Sequence, residues 1–407
     1  MARDSSRNAA DAGGLVGPDV VAACGLSAVP ALGASSLARI ALEFGSLHEA
    51  VEAGPRAIAE RNAKLKLKQE ALDYLERDPD LEELGAWAVG AAKAAGARVV
   101  LLGDEWYPPR LREIANPPPV LYVRGSLVAE ARRVAVVGSR EPDEQGMEIA
   151  RSFGDALARA GITVVSGGAR GVDTAAHDGA FWGSGPSVAV LGCGIDVVYP
   201  PENGEIFERI ARSAGAVVSE FPPGTPPTQQ NFPRRNRTIA GLCDAIVVVR
   251  AALQSGALIT ANHAAQAGRR IFAVPGDPGN PKAAGSNELL RARGVKPATN
   301  ALDLLEAMGW PIPDELVRPA ADEAQRSVDP GFPDSPAQQP EKPVTDEMVV
   351  DEESLQLWRM LDERTPAHVD DLAQRAGMTA PEALRKLSEL EQKGMCLQRP
   401  GKYFLRR

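Results

Sequence analysis

The stretch Asn231 to Leu242, NFPRRNRTIAGL, concentrates residues that bind anions. Four consecutive positions carry three arginines and an asparagine, namely Arg234, Arg235, Asn236 and Arg237. Arginine presents a permanently charged, planar fork of donors that matches phosphate, and the neighbouring Phe232 offers a ring on which a base can stack. The cluster therefore indicates binding of a phosphate-containing polyanion. The alternative interpretation is a solvated helix surface.

Two glycine-containing loops offer further anion sites. The first, GSRE, begins at Gly138 and places Ser139 and Arg140 just ahead of a predicted helix, where free amides favour anions. The second, SGGARG, exposes successive amides that could cradle phosphate, and its candidate residues are Ser166, Gly167, Gly168, Arg170 and Gly171. Neither loop is a Walker A or a dinucleotide-binding GxGxxG sequence. For each loop the structural alternative is a tight turn with a solvated arginine.

A third loop of this kind, QSG, brings Gln254, Ser255 and Gly256 to the start of another predicted helix, and Lys282 adds a cation on the same side. Between residues 230 and 299 the chain has ten Lys or Arg and three Asp or Glu, a local charge of +7. Such an excess favours a ligand longer than one nucleotide, and the scarcity of aromatic residues favours backbone tracking over base recognition. Together these residues point to single-stranded nucleic acid.

Residues for catalysis or metal binding are not grouped in the sequence. Asp173 and His177, four positions apart, are expected to pin a turn rather than to transfer protons, and Glu220 is expected to anchor neighbouring amides or arginines. The four cysteines and four histidines are dispersed, so their spacing suggests no zinc site and no Ser/His/Asp constellation. We expect no metal, no cofactor and no enzymatic activity.

The elements that would position these loops form an α/β pattern. Helical stretches separate most of the apolar runs, which include RVAVVG, GITVVSG, SVAVLG, AVVSE, DAIVVV and IFAVPG. Such an alternation is typical of a parallel sheet covered by helices on both faces, so we predict a Rossmann-like, doubly wound core within residues 96–310. In such sheets ligands bind at the carboxyl ends of the strands, where all three loops lie.

The segments on either side of this core predict two smaller domains. Residues 15–95 form a helical domain whose turn at Pro30 and Gly33 is typical of a helix-hairpin-helix, a SAM-like arrangement. Residues 354–407 contain three helical patterns followed by a short hairpin, which predicts a winged helix. Residues 1–14 are predicted to be disordered.

A proline-rich linker, residues 311–353, is predicted between the core and the winged helix. From Pro313 to Glu353 twelve acidic residues oppose three basic ones, so this segment alone accounts for the net charge of −9 of the whole chain. The rest of the chain is neutral overall, which removes the objection that an acidic protein would repel nucleic acid. With no long apolar run and a polar start, we expect a cytoplasmic protein without membrane association.

Seven motif blocks follow one another in an order that resembles the DNA-processing protein A family, also called DprA or Smf. They are VAVVGSR, VVSGGARGVDTAAH, AVLGCGIDVVYP, SEFPPGTPP, NFPRRNRTIAGL, SGALITA and FAVPG. The resemblance implies a bacterial protein of natural transformation (competence) and DNA recombination. Such a protein binds incoming single-stranded DNA, protects it and loads the recombinase RecA onto it, acting as a homodimer. Carried over by motif, the DNA-contacting positions are Ser139, Arg140, Ser166 to Gly171 and Phe232 to Arg237, bordered by Gln254 to Gly256.

Two positions depart from the family pattern. Gly168 stands where a larger apolar residue is usual, which we expect to loosen the turn. Arg250 ends the fifth core strand where an acidic residue is usual, and it would either strengthen the DNA-binding edge or alter dimer packing. We expect Arg140→Ala and the double change Arg235→Ala/Arg237→Ala to weaken single-strand binding while the fold stays intact.

Two other functions compete with this interpretation. A nucleotide-processing phosphoribohydrolase has a related fold but depends on a PGGxGTxxE motif, and SGGARGVDTAAH lacks its glutamate. A regulator of double-stranded DNA would rest on the winged helix alone. The third helix of that domain carries acidic residues among its charges, which favours protein contacts over groove recognition.

Overall fold

The computed structural model describes residues 17–317, 352–362, 367–392, 395–399 and 403–406. The chain forms two compact units, Met1–Asp329 and Pro330–Arg407. The predictions made for residues 1–14 and for most of the linker lie outside the described residues. Ile312 and Leu316, at the start of the predicted linker, pack against the core of the large unit.

Helices fill the first part of the large unit, as the sequence predicts. Their bounds are α1 Pro18–Ala28, α2 Ala34–Phe44, α3 Leu47–Ala53, α4 Pro55–Glu60, α5 Asn62–Leu65, α6 Gln69–Leu75 and α7 Leu81–Ala94. The turn between α1 and α2 buries Val29 and Leu32 in a core shared by these helices. Helices α1 and α7 approach closely because Gly25 and Gly85 lie directly against the facing backbone.

A nine-stranded sheet forms the centre of the large unit. Its strands are β1 Ala97–Leu101, β2 Val120–Gly125, β3 Arg133–Val137, β4 Thr163–Ser166, β5 Ser187–Leu191, β6 Ala216–Ser219, β7 Ala245–Val248, β8 Arg270–Ala273 and β9 Val295–Pro297. Their order is β1-β2-β6-β5-β4-β3-β7-β8-β9. In this spatial order, every pair of neighbouring strands between β6 and β9 is parallel. At the other edge, β1 pairs with β2 and β2 pairs with β6, and both pairs are antiparallel. The predicted Rossmann-like, doubly wound fold is confirmed.

Helices cover both faces of the sheet, because its strands are apolar on both sides. In β3, Val134 and Val136 belong to one buried cluster, while Ala135 and Val137 belong to the other. The helices that follow the strands are α8 Pro109–Arg112, α9 Glu144–Arg159, α10 Val172–Trp182, α11 Gly204–Arg212, α12 Asn231–Leu242, α13 Gly256–Gln266, α14 Ala284–Leu289 and α15 Ala301–Met308, with a short 3-10 helix at Pro201–Asn203.

Successive strands are added on one side of β3 first and on the other side afterwards. From β3 the chain adds β4, β5 and β6 on one side, and α12 then returns it to the other side, where β7 pairs with β3. Ala135 is thus flanked by Val165 of β4 and Ile246 of β7. Such a reversal leaves a crevice outside the carboxyl ends of the strands, which is where doubly wound sheets bind ligands.

The small unit has the elements of a winged helix. Its helices are α16 Glu352–Arg359, α17 Val369–Ala376 and α18 Ala380–Gln392. A three-stranded sheet of order β10-β12-β11 accompanies them, formed by β10 Ala367–His368, β11 Cys396–Arg399 and β12 Tyr403–Arg406. Leu357, Leu372, Leu387 and Phe404 meet in its core.

Candidate nucleic-acid interface

A cleft of about 810 Å³ lies at the reversal point, outside the carboxyl ends of β3 and β7. The loops after β3, β4, β5 and β7 form it, together with the first parts of α12 and α13. The sequence-predicted residues that line this main cleft are Gly138, Ser139, Arg140, Phe232, Arg235, Asn236, Gln254, Ser255 and Gly256. The structure therefore gathers, around one cavity, candidates that are more than a hundred positions apart in the sequence.

A sharp turn follows β3 and begins the wall of the main cleft. The Ser139 amide donates to the Arg250 carbonyl at 2.6 Å, and the Ser139 hydroxyl accepts from the Glu141 amide at 3.1 Å. Gly138 permits this geometry, because a Cβ there would lie 2.6 Å from Val172 Cγ2. These hydrogen bonds fix the turn, and the residue that follows it, Arg140, lines the main cleft.

The next residue is Arg140, whose positively charged side chain is exposed to solvent. Its guanidinium lies 5.0 Å from the centroid of the Phe232 ring, within the range of a cation–π contact. Among the described residues, none forms an ion pair or a hydrogen bond with the Arg140 side chain. A phosphate could therefore bind Arg140 without displacing a carboxylate.

The glycine loop after β4 is held by a carboxylate of the protein itself. The buried Asp173 accepts hydrogen bonds from the Gly167 amide at 3.1 Å and the Ala169 amide at 3.3 Å. The Ser166 hydroxyl donates to the Val136 carbonyl at 2.7 Å and is fully buried. Burial raises the pKa of Asp173. The nearby charge of Arg235 and these hydrogen bonds act in the opposite direction and lower it, but burial is the larger effect. Two amides that the sequence assigns to phosphate thus already have an internal acceptor.

The two remaining glycines of this loop adopt left-handed backbone angles. The φ of Gly168 is +64° and that of Gly171 is +77°. A Cβ on Gly168 would lie 2.5 Å from Phe207 Cε1, so the Phe207 ring occupies the space a larger residue would need. The expected loosening of the turn is therefore wrong: the loop is packed.

Arg170 projects from this loop into solvent. Its guanidinium forms an ion pair with the carboxylate of Glu202, and both side chains are about half exposed. The pairing raises the pKa of Arg170 and lowers that of Glu202. Unlike Arg140, Arg170 would have to leave a carboxylate before it could bind phosphate.

His177 has a structural environment. It is fully buried, its Nδ1 lies 2.7 Å from Ser187 Oγ, and burial lowers its pKa to about 3. The imidazole is therefore neutral at ordinary pH. Together with the amide contacts of Asp173, this agrees with the turn-pinning interpretation of the DTAAH segment.

Arg235 is buried beneath the cleft, with only 5% of its surface exposed. Its Nη1 donates to the carbonyl oxygen of Gly167 and, at 2.7 Å, to that of Val190, while its Nε donates to Asn236 Oδ1 at 3.0 Å. Burial lowers its pKa, and the charge of Asp173 opposes that shift. Arg235 thus ties α12 to β5 and to the glycine loop.

Arg234 and Arg237 point away from the main cleft, toward Glu220. Their guanidinium nitrogens lie 4.0 Å and 3.3 Å from Glu220 Oε2, and the Thr238 hydroxyl donates to Oε1 at 3.0 Å. Glu220 is buried and acts as the anchor for arginines that the sequence predicts. Arg234 borders a second cleft, of about 520 Å³, between the α1–α2 turn and the loop after β6. The four-residue cluster therefore divides between two sides of α12.

The start of α13 supplies the uncharged polar groups of the main cleft. Gln254 is exposed, and the Ser255 hydroxyl has no hydrogen-bond partner within the described part of the chain. The Asn236 side-chain amide donates to the Gly256 carbonyl at 3.2 Å, which fixes this helix start beside α12. The oxygen of the Ser255 hydroxyl is itself buried, so the exposed polar side chain at this helix start is that of Gln254.

Two cations predicted near the ligand edge do not line the main cleft. The Lys282 ammonium reaches the Pro142 carbonyl at 3.4 Å, beside the turn that carries Arg140. Arg250 is 1% exposed, pairs with Asp143 at 3.3 Å and donates to Gln145 Oε1 at 2.9 Å. Arg250 therefore anchors the start of α9, and its buried guanidinium is not available for a direct contact at the DNA-binding edge. The expectation that it alters dimer packing stays a prediction.

Tyr199 also lines the main cleft, and the sequence argument did not include it among the site residues. The residue is 37% exposed, and its ring centroid lies 5.8 Å from that of Phe232. The available signal was an aromatic residue in a proline turn directly after a strand-end glycine loop. Such turns follow the carboxyl end of a strand and so reach the ligand edge.

The described residues provide neither a clustered metal site nor a membrane-spanning helix. No cluster of three or more His, Cys, Asp or Glu side chains in the described ranges could hold a metal ion. Among the described helices, none has the length and apolarity needed to cross a membrane. What the main cleft does offer is an exposed cation and two aromatic rings.

Comparisons of the sequence identify related proteins. A family model described as DNA recombination-mediator protein A matches residues 98–309, and a model of the DprA winged helix domain matches residues 334–402. Protein Smf of Escherichia coli is 38% identical over 305 residues, which are 74% of this chain and 75% of that protein. A putative DNA processing protein DprA of Mycobacterium tuberculosis is 33% identical over 334 residues, 81% of this chain and 76% of that one.

A solved structure has the same fold. The X-ray structure of DNA processing protein A from Streptococcus pneumoniae superimposes with a TM-score of 0.60 and 30% sequence identity. The match covers 72% of this chain and 98% of that chain. Nearly the whole of that protein therefore corresponds to part of this one.

Proposed function

The chain belongs to the DNA recombination-mediator protein A family, and on that premise we propose that it binds single-stranded DNA in the main cleft. The observation that carries the proposal is Arg140, an exposed cation without a carboxylate partner, placed over an aromatic ring at the reversal point of the sheet. Positive charge beside aromatic rings is the combination by which proteins hold single strands, because phosphates bind the cation and bases stack on the rings.

Single strands fit these features better than duplex DNA does. Stacking on an aromatic ring requires a base whose face is accessible, and in a duplex both faces of each base are covered by neighbours. The rings of Phe232 and Tyr199 line a cleft, where a flexible strand can place an unstacked base against the exposed ring. We therefore expect weak binding of duplex DNA by the large unit.

We propose a binding role rather than a catalytic one. The acid and imidazole groups around the glycine loop are engaged in the fold: Asp173 by two amides and His177 by Ser187. Glu220 is held between arginines and Thr238. A general base must reach the substrate, and all three side chains are buried, which supports their use for structure.

The wider role that we propose is protection of incoming single-stranded DNA during natural transformation and delivery of the recombinase RecA onto it by a homodimer. The description of the family as a recombination mediator supports this role. Three measurements test it: nuclease resistance of a bound single strand, the rate of RecA filament formation with and without the protein, and molar mass by sedimentation equilibrium. Unchanged nuclease digestion and filament rates would contradict the wider role.

Fluorescence anisotropy of labelled oligonucleotides tests the binding proposal. Arg140→Ala is expected to weaken single-strand binding and to reduce the slope of log K against log salt by about 0.7, the value for one phosphate contact on a single strand. Arg132→Ala is the matched control, because Arg132 is an exposed arginine 5.5 Å from the Trp310 ring at the opposite end of β3. Equal losses in both variants, equal affinity for single and double strands, or no salt dependence would contradict the proposal.

A further inference from the structure

The aromatic wall of the main cleft contains two rings with different accessibility. Phe232 is partly buried, and its ring lies against the backbone at Gly192, where a Cβ would be 2.8 Å from Phe232 Cδ1. Tyr199 also lines the cleft and is exposed.

The ring of Phe232 is already surrounded by side chains. The guanidinium of Arg140 lies 5.0 Å from its centroid, that of Arg235 lies 5.8 Å away, and the Tyr199 ring is also 5.8 Å away. With Gly192 against it as well, Phe232 has little surface left for a base. The Phe232 ring is therefore placed to support the side chains packed around it, which include the Tyr199 ring.

A base also has no room between the two rings. Stacking on both sides would require two van der Waals separations of about 3.5 Å, or about 7 Å in total. The centroids of Tyr199 and Phe232 are 5.8 Å apart and the ring planes are inclined by 37°. A base must therefore bind on the outer face of Tyr199, which is the accessible ring.

A cation stands at the Phe232 end of this aromatic wall. The guanidinium of Arg140 lies 5.0 Å from the Phe232 centroid, and no carboxylate of the described residues pairs with it. A phosphate next to a nucleotide stacked on Tyr199 could therefore bind Arg140. A cation beside an exposed ring suits the alternation of phosphate and base along a single strand.

We propose that Tyr199 is the base-stacking residue of the main cleft and that Phe232 supports it. The inference rests on the proposed function, since its ligand is the same single-stranded DNA. The stacked group is any nucleobase, because every base offers a flat face and no hydrogen-bonding group of Tyr199 is required. The ring of Tyr199, rather than its hydroxyl, carries the contact.

An abasic oligonucleotide separates this contact from phosphate binding. The full chain is titrated with a labelled oligothymidylate and with an oligonucleotide of equal length whose sugars carry no base, both at one salt concentration. The wild type is expected to bind the oligothymidylate roughly tenfold more tightly, the effect of one stacked base. Tyr199→Ala should bring this ratio close to one, while Tyr199→Phe keeps it and Tyr199→Leu loses it.

The outcomes distinguish the two proposals. If the wild type binds both oligonucleotides equally, or if Tyr199→Ala keeps the wild-type ratio, single-strand binding stands and the stacking role of Tyr199 falls. If the wild type binds neither, the proposed function itself falls. Thermal melting of each variant completes the test, because Tyr199 is exposed and its replacement should leave the melting temperature unchanged. A ratio lost only in a variant that melts early would count against the proposal.

Discussion

Replacing Arg235 with alanine is expected to destabilise the large unit rather than simply remove a DNA contact. The guanidinium is buried and donates to the carbonyls of Gly167 and Val190 and to Asn236 Oδ1. Its loss would leave these acceptors and the buried Asp173 without their cation. Removing one partner from a buried charged network costs about 3–5 kcal/mol. Because 1 kcal/mol moves the melting temperature of a domain of this size by about 2–4 °C, we expect a decrease on the order of 10 °C.

Thermal unfolding followed by circular dichroism measures this decrease. Arg235→Met serves as a second variant, because it keeps most of the apolar stem and removes only the charge and the donors. If the polar network is the cause, both variants should melt early, whereas Arg140→Ala should melt with the wild type. The reasoning is refuted if Arg235→Ala melts at the wild-type temperature, or if Arg235→Met restores it. The double change Arg235→Ala/Arg237→Ala, expected from the sequence to leave the fold intact, should also melt early.

Two further predictions concern pH and charge. The pKa of His177 is about 3 in the folded state and near 6.5 in the unfolded chain, so stability is fully present above pH 6.5 and falls as the pH drops toward 3. Between pH 7 and pH 5, urea unfolding should show a loss of about 2 kcal/mol in the wild type that is missing in His177→Gln, and parallel curves would contradict it. Glu202→Gln should free Arg170 and tighten single-strand binding at low salt by at most about fivefold, an effect that high salt removes. Anisotropy titrations at two salt concentrations would reveal an unchanged affinity if the ion pair does not compete with DNA.

The family and the strands of the core were predictable from local sequence. The family assignment made from seven ordered motif blocks is confirmed by the comparisons. Runs such as VAVV predict buried parallel strands, because only a strand covered on both faces is apolar at every position. Strand β9, Val295–Pro297, was not predicted, since it is three residues long and its Lys296 and Pro297 are exposed. Nothing in its composition distinguishes it from a loop.

The directions of the arginines could not be predicted in the same way. The sequence gives their type, but burial of Arg235 depends on how α12 packs against β5 and the glycine loop, which are more than forty positions away. The same applies to Arg250, whose partner Asp143 lies across the sheet edge at the start of α9. For the glycine loop, local geometry predicted free amides, and only the fold reveals that Asp173 occupies two of them. Residue types thus located the site, and tertiary contacts decided which residues can reach a ligand.

Photo-crosslinking tests most directly whether single-stranded DNA occupies the main cleft. An oligonucleotide containing 4-thiothymidine is bound to the full chain, irradiated, and the crosslinked peptides are identified by mass spectrometry. We expect the crosslinks to fall in peptides that contain Arg140, Tyr199, Phe232 and Gln254, and to decrease in Arg140→Ala but not in Arg132→Ala. Crosslinks confined to the winged helix or to α1–α7, with none in these four peptides, would contradict the account.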